Sequence, residues 1–288
     1  MAAEQVAQSQ VGIPTAPLRP FVRSYVGYRF EGFPAGVHLG LPSRSTTVVI
    51  SLGEPVVLTE TPDPQQAHGA WDALASGLST RRAVIAHDGN QFGVQLGLTP
   101  LGARALLGAP VGEIGGTVVD LADVLGRDVA LLREELVERS TWSVRFGVLD
   151  SVLLRAMARH ERHPTVQPEL AHAWRLITRS GGGARVGDVA TQVGWSRRHL
   201  SGRFIREFGV GPKDLAAIVR FERARRLLQV PLRPGLAEIA AICGYADQSH
   251  LTREWRRFAG TSPTAWLANE EFPSVQDAVT ESEPGSQP

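Results

Sequence analysis

The stretch Val186-Gly187-Asp188-Val189-Ala190-Thr191-Gln192-Val193-Gly194-Trp195-Ser196, running on into Arg197-Arg198-His199-Leu200, decides how the C-terminal third folds. Val186, Val189, Ala190 and Val193 recur at helical spacing and make a short apolar stripe. Ala190 is small enough for a second helix to cross closely. Gly194 stands where the chain turns through left-handed backbone, which only glycine adopts without strain. Ser196 is placed to cap the next helix. The spacing predicts that helix over 197–208, burying Leu200, Phe204 and Phe208. Arg197, Arg198, Ser201, Gly202 and Arg203 are left outside. A short helix, a glycine turn and a basic second helix make a helix-turn-helix unit, whose second helix enters the major groove of DNA.

The pattern returns fifty residues on, from Gly194 to Gly244. Ala237-Glu238-Ile239-Ala240-Ala241-Ile242-Cys243-Gly244-Tyr245 repeats the first helix and turn, and Asp247 takes the capping role. The second helix is expected over 248–258, burying Leu251, Trp255 and Phe258. Gln248, Ser249, His250, Thr252 and Arg253 point outward, with Arg256 one turn further on. Both units end in Gly-x-x-Pro, at Gly209 to Pro212 and Gly260 to Pro263. Between them Pro212 to Gln229 reads as one longer helix, stopped by Pro231 and Pro234. A rigid connecting helix fixes the separation of the two units, so both can enter successive major grooves, roughly 34 Å apart, on one face of DNA.

Charge supports a phosphate-bearing partner. The chain of 288 residues has a formal net charge of only +1. Residues 165–270 hold 16 basic and 9 acidic side chains, whereas residues 271–288 hold 4 acidic and no basic ones. A basic segment beside a mildly acidic remainder is the electrostatic footprint of a nucleic-acid binder. A hydrophobic fraction of 43% and a charged fraction of 20% belong to a folded protein. No apolar run is long enough for a bilayer, and Met1 to Gln10 lacks a signal pattern, so a cytoplasmic protein is expected. Cys243 is the only cysteine, which rules out an intrachain disulfide or a cysteine zinc cluster.

Toward the N-terminus the period changes. Residues 1–17 are polar and expected to be loose. From 18 to about 98 come short β-rich runs: Phe21 to Tyr28, Thr46 to Ile50, Pro55 to Leu58, Ala83 to Ile85 and Phe92 to Leu98. Many short strands broken by Gly and Pro predict a barrel or sandwich. Helical patterns occupy 100–107, 121–125, 128–139 and 144–159; Val129, Leu132, Leu136 and Val137 share one expected buried face. The overall expectation is α+β. It comprises a β-rich, barrel-like (cupin-like) domain over 18–160 ending in helices, a linker at 161–166, and an all-α domain over 167–268 with two helix-turn-helix units on a long helix. An acidic, disordered tail is expected over 269–288.

The segment 167–268 resembles the AraC/XylS family of bacterial transcription regulators. The resemblance rests on Gly194-Trp195 and Gly244-Tyr245, Arg197-Arg198-His199-Leu200, Phe208-Gly209-Val210-Gly211-Pro212, Ile239-Ala240 and Gly260-Thr261-Ser262-Pro263. It implies that Arg198, Ser201 and Gly202 face bases from the first recognition helix, and that Gln248, Ser249, Thr252 and Arg253 do so from the second. Gly202 departs from the family, where a long polar side chain is common. It cannot read a base edge and costs about 1 kcal/mol of helix propensity. The N-terminal part resembles β-rich sensor domains of some actinobacterial members, through Leu18-Arg19-Pro20-Phe21-Val22, Leu41-Pro42-Ser43, Gly93-Val94-Gln95-Leu96 and Gly102-Ala103-Arg104-Ala105-Leu106-Leu107-Gly108. The partners this implies are double-stranded promoter DNA, RNA polymerase, a small-molecule effector of unknown identity and a second copy of the chain.

Other readings of single residues stay open at this level. Arg220, Arg223, Arg225 and Arg226 are either phosphate contacts or surface charge pairing with Glu222. His199 and His250 either touch DNA or pack. Cys243 reads as a small buried apolar residue rather than a redox sensor. His160-x-x-His163 has metal spacing on a helix, but Pro164 comes next and no carboxylate or cysteine pair completes a site. His38, His68 and His87 lack the spacing of a cupin metal centre. No cofactor, no metal and no catalytic residue are therefore expected. A fused methyltransferase would need a nucleophilic cysteine in the N-terminal part, where there is none. The alternative within the regulator class is a constitutive adaptor whose N-terminal domain only mediates protein interactions.

Overall fold

The structure is a computed structural model that describes residues 5–126, 128–159, 165–269, 272–273 and 275. Ten strands form the N-terminal part: β1 (Val6–Gly12), β2 (Val22–Glu31), β3 (Gly36–Gly40), β4 (Thr46–Ser51), β5 (Val56–Glu60), β6 (Gly69–Trp71), β7 (Ala73–Ser76), β8 (Ala83–His87), β9 (Gln91–Leu98) and β10 (Val118–Asp120). They make two antiparallel sheets, ordered β1-β2-β9-β4-β7-β10 and β3-β8-β5-β6. Leu58 of the smaller sheet packs with Leu74 and Val118 of the larger, so the two face each other across an apolar interior.

Four helices cover the outside of the larger sheet: α1 (Pro100–Leu107), α2 (Leu121–Leu125), α3 (Asp128–Glu138) and α4 (Trp142–Arg159). Thr99 caps α1 by accepting from the Gly102 amide, with Pro100 in the first turn. The aromatic side of α4 needs glycine opposite it. Trp142 lies where a Gly27 side chain would be, and Phe146 where a Gly12 side chain would be. Tyr25 stacks on Phe146 and its hydroxyl donates to Asp150 at 2.7 Å. Val137, expected on the buried face of α3, is 46% exposed; Val129, Leu132 and Leu136 alone form that face. The three buried positions have a 3-4 spacing, and Val137 lies one position round the helix from it.

Two segments differ from the expectation of loose ends. Within residues 1–17, β1 pairs with β2 from Val6↔Glu31 to Gly12↔Tyr25. Its Ala-Gln-Ser-Gln core is exposed, so backbone hydrogen bonds rather than an apolar face hold it. At the other end, Phe272 and Val275 are buried against Val26, Tyr28 and Phe30. The Phe272 ring sits 3.8 Å from the His87 ring and 5.1 Å from that of His38. Burial, reinforced by repulsion from His87, holds the His38 pKa down to about 4, so this cluster is neutral at physiological pH. His160, His163 and most of the expected linker and tail lie outside the described residues.

The C-terminal domain is all-helical: α5 (Pro168–Arg179), α6 (Val186–Gln192), α7 (Arg197–Phe208), α8 (Pro212–Gln229), α9 (Leu236–Cys243), α10 (Gln248–Ala259) and α11 (Pro263–Asn269). It is built as two cores. The first unit shares one continuous core with the N-terminal domain, from Leu18 through Val111 to Phe204 and Phe208. The second has its own, centred on Phe221, Leu251, Trp255, Phe258 and Trp266. One buried N-terminal side chain joins that second core, Leu41 from the β3–β4 loop. Overall the chain is α+β: a β-sheet domain followed by an all-helical helix-turn-helix domain.

Candidate nucleic-acid interface

Both turns are closed by the same hydrogen bonds. Gly194 has φ +73° and Gly244 φ +79°. The Trp195 amide donates to the Ala190 carbonyl at 2.9 Å, and the Tyr245 amide to the Ala240 carbonyl at 2.9 Å. These bonds satisfy carbonyls that the helix ends would leave unpaired. The next helix then starts on a side-chain cap in each unit. Ser196 accepts from the His199 amide at 3.2 Å, and Asp247 from the His250 amide at 2.6 Å. The second unit has one more residue, Ala246, between its glycine and its cap than the first, and the turn and cap are unchanged.

On α7, Arg197, Arg198, His199 and Gly202 are exposed, while Ser201 and Arg203 are half-buried. On α10, Gln248, Ser249, Arg253 and Arg256 are exposed or half-buried, as are His250 and Thr252. Opposite these faces, Leu200, Phe204 and Phe208, and Leu251, Trp255 and Phe258, are buried as the spacing predicts. Each helix is therefore held by an aromatic inner face and presents cations and amide or hydroxyl groups outward. That combination can contact phosphates and base edges. Nothing lies within 4 Å of where a Gly202 side chain would begin, so this gap in the first reading face is open to solvent.

The two histidines act locally. The His199 ring meets the Trp195 ring edge-on at 4.7 Å, and the His250 ring meets Tyr245 in the same way at 5.3 Å. His250 Nδ1 also accepts from the Ala246 amide at 3.3 Å. Both rings brace the Gly-aromatic turn, a role that the repeated aromatic at the turn and histidine in the first helical turn could have signalled. Cys243 is buried, and burial pushes its thiol pKa up, away from reactivity.

The connecting helix differs most from its sequence reading. Arg220 pairs with Glu254 at 3.0 Å, Arg223 donates to the Ile242 carbonyl at 3.2 Å, and Arg225 is buried. These side chains turn into the protein. Glu222 reaches the N-terminal domain: it binds Arg44 at 3.1 Å and accepts from the Ser43 hydroxyl and Arg44 amide. Arg104 and Glu207 make a second cross-domain pair at 2.6 Å. Sequence periodicity has no access to these two cross-domain pairs, because each joins residues more than a hundred positions apart.

Residues 189–269 match the sequence profile of a family described as a helix-turn-helix domain. The transcriptional regulator Rv1931c of Mycobacterium tuberculosis is 34% identical over 85 residues, which is 30% of this chain and 32% of that protein. The transcriptional activator RhaR of Pectobacterium carotovorum is 26% identical over 151 residues, 50% of this chain and 53% of its own length. The chain thus spans about half or less of the curated relatives it matches. Over most of its length it shares the fold of ToxT from Vibrio cholerae. The crystal structure of ToxT from strain O395 aligns with a TM-score of 0.51 at 12% identity, covering 91% of this chain and 97% of that one. Wild-type ToxT with a bound unsaturated fatty acid aligns at 0.52 and 11% identity, covering 92% and 96%. Among the described residues no helix is long and apolar enough to cross a membrane.

Proposed function

We propose that the chain is an AraC/XylS-type helix-turn-helix transcription regulator: a sequence-specific, cytoplasmic DNA-binding protein, not an enzyme. Its two recognition helices, α7 and α10, enter successive major grooves of a promoter operator. The observation that carries this reading is the duplicated device: two capped helices after equivalent glycine turns, each with outward arginine. Arg197, Arg203 and Arg256 supply phosphate-driven affinity. Gln248, Ser249, Thr252 and Arg253, with Arg198 and Ser201, discriminate bases. RNA polymerase and a second copy of the chain complete the set of partners. Selection of sites from random DNA by the full chain should yield a two-part motif; recovery of no enriched motif overturns the reading.

The N-terminal domain is read as an effector sensor. A cavity of about 110 Å³ lies between the sheets. Its walls include Val49, Leu58, Leu74 and Ile85, and Arg81 is the arginine that lines it. A largely apolar chamber that also presents Thr47, Gln91 and Gln95, with the exposed Arg81 on its wall, suits a small amphipathic carboxylate, the class that the fatty-acid complex of ToxT represents. The same β3–β4 loop that lines the cavity through Leu41 and Ser43 docks on the second unit through Leu41 and holds Glu222. Occupancy of the cavity and the seating of the second unit are thereby coupled. A short-chain unsaturated fatty acid, sized to the cavity, should raise the melting temperature of the wild type, and Arg81→Ala should lose that rise. No shift in the wild type with this or any carboxylate of similar size favours the constitutive adaptor.

A further inference from the structure

Arg220 and Arg223 stand one turn apart on α8, and each reaches both the glycine loop that leads into the first helix-turn-helix unit and the second unit itself. Arg220 Nη1 donates to the Gly182 carbonyl at 3.0 Å, in the glycine loop between α5 and α6. Its Nη2 donates to both carboxylate oxygens of Glu254, at 3.0 and 3.2 Å, on the second recognition helix. The same guanidinium lies 5.4 Å from the centre of the Tyr245 ring, in the second glycine turn. Arg223 donates to the Ile242 carbonyl in the last turn of α9. Its guanidinium also packs where a side chain at Gly181 would begin. The loop itself sits flush on α8, since a side chain at Gly182 would run into the Ala216 carbonyl.

We propose that Arg220 and Arg223 are positioning residues that set the spacing and rotation of α7 relative to α10, and so the half-site spacing that the protein accepts. The inference rests on the DNA-binding reading above. For Arg220 a phosphate-contact role fits the geometry poorly. The Arg220 and Glu254 side chains are only 15% and 11% exposed, and both Arg220 terminal nitrogens are engaged. A buried pair of this kind contributes little net stability compared with an apolar replacement, and fixing register is the best-attested use of such a pair. The forked guanidinium matters, because one side chain must bond two separate elements at fixed angles. A lysine at 220 keeps the charge and can hold Glu254, but not Gly182 as well.

Two measurements on the full chain test this. In the first, spin labels at Ser201→Cys and Ser249→Cys, in a Cys243→Ser background, report the distance between the recognition helices without DNA. The expected result is one narrow distribution for the parent and a broadened or shifted one for Arg220→Lys with Arg223→Gln. An unchanged distribution overturns the proposal whether or not the protein binds DNA. In the second, affinity is measured for selected operators with one base pair inserted between half-sites. The parent should lose tenfold or more, and the double variant less than threefold. Retention of the tenfold penalty overturns the proposal. So does uniform weakening on all spacers with a salt slope reduced by about 0.9 for each arginine, the signature of lost phosphate contacts. Circular dichroism of the double variant checks that its total helix content matches that of the parent.

Discussion

Trp255→Ala is expected to unfold the second helix-turn-helix unit while leaving the β-sheet domain folded. Trp255 is fully buried, with its ring 4.7 Å from Phe221 and 5.4 Å from Trp266. Removing a buried tryptophan costs about 3–5 kcal/mol in lost burial and the cavity left behind. Phe221, Phe258 and Trp266 belong to the same cluster, so the loss falls on a core that is separate from that of the first unit. A unit of this size has little stability to spare. Amides across 236–269 should exchange at near-solvent rates in the variant, while those of β2 and β9 stay protected. Sequence-specific DNA binding should vanish with the second unit. Trp255→Phe is the control. It retains a ring in the cluster and removes an indole N–H that has no hydrogen-bond partner among the described residues, so it should cost far less. Full protection of 236–269 in Trp255→Ala would contradict the division into two cores.

The second large effect is on recognition alone. Gln248→Ala combined with Arg253→Ala is expected to lower affinity for the selected operator on the order of 100-fold or more, since each lost base contact costs about 1–3 kcal/mol. Both side chains are exposed, so stability should move by no more than about 0.5 kcal/mol. Affinity for random DNA should fall by less than tenfold, because the other arginines still meet phosphate. Titration of both DNAs at matched salt measures the ratio. An equal loss on both would place Gln248 and Arg253 among general backbone contacts.

The range of each interaction decided whether the sequence could disclose it. The two units were legible because everything that makes them is local: Gly194 and Gly244 at left-handed turns, Ser196 and Asp247 at caps, aromatic residues at helical spacing. The longer strands of the sandwich were legible for the same reason. The strand Val6–Gly12 was not, since Ala7-Gln8-Ser9-Gln10 has no apolar alternation and the strand exists through pairing with β2. Arg220 and Arg223 of α8 look like a solvated face in sequence and find protein partners in the fold, because Gly182, Ile242 and Glu254 come within reach only once both units have packed on α8. Arg44 with Glu222, and Leu41 in the second core, belong to the same class of long-range contact. The departure at Gly202 makes the two outer faces unlike: that of α7 has an open gap there, and that of α10 an unbroken row of Gln248, Ser249, Thr252 and Arg253.

The central claim is that α7 and α10 each read one half of a two-part site. Site selection from random DNA, run in parallel with the parent chain, Arg198→Ala, and Gln248→Ala with Arg253→Ala, tests it most directly. The parent should return a two-part motif. Arg198→Ala should blur one half, and the α10 variant should erase the other while leaving the first intact. A motif that is unchanged in both variants, or that degrades uniformly over its whole length in each, would contradict the assignment of one half-site to each recognition helix.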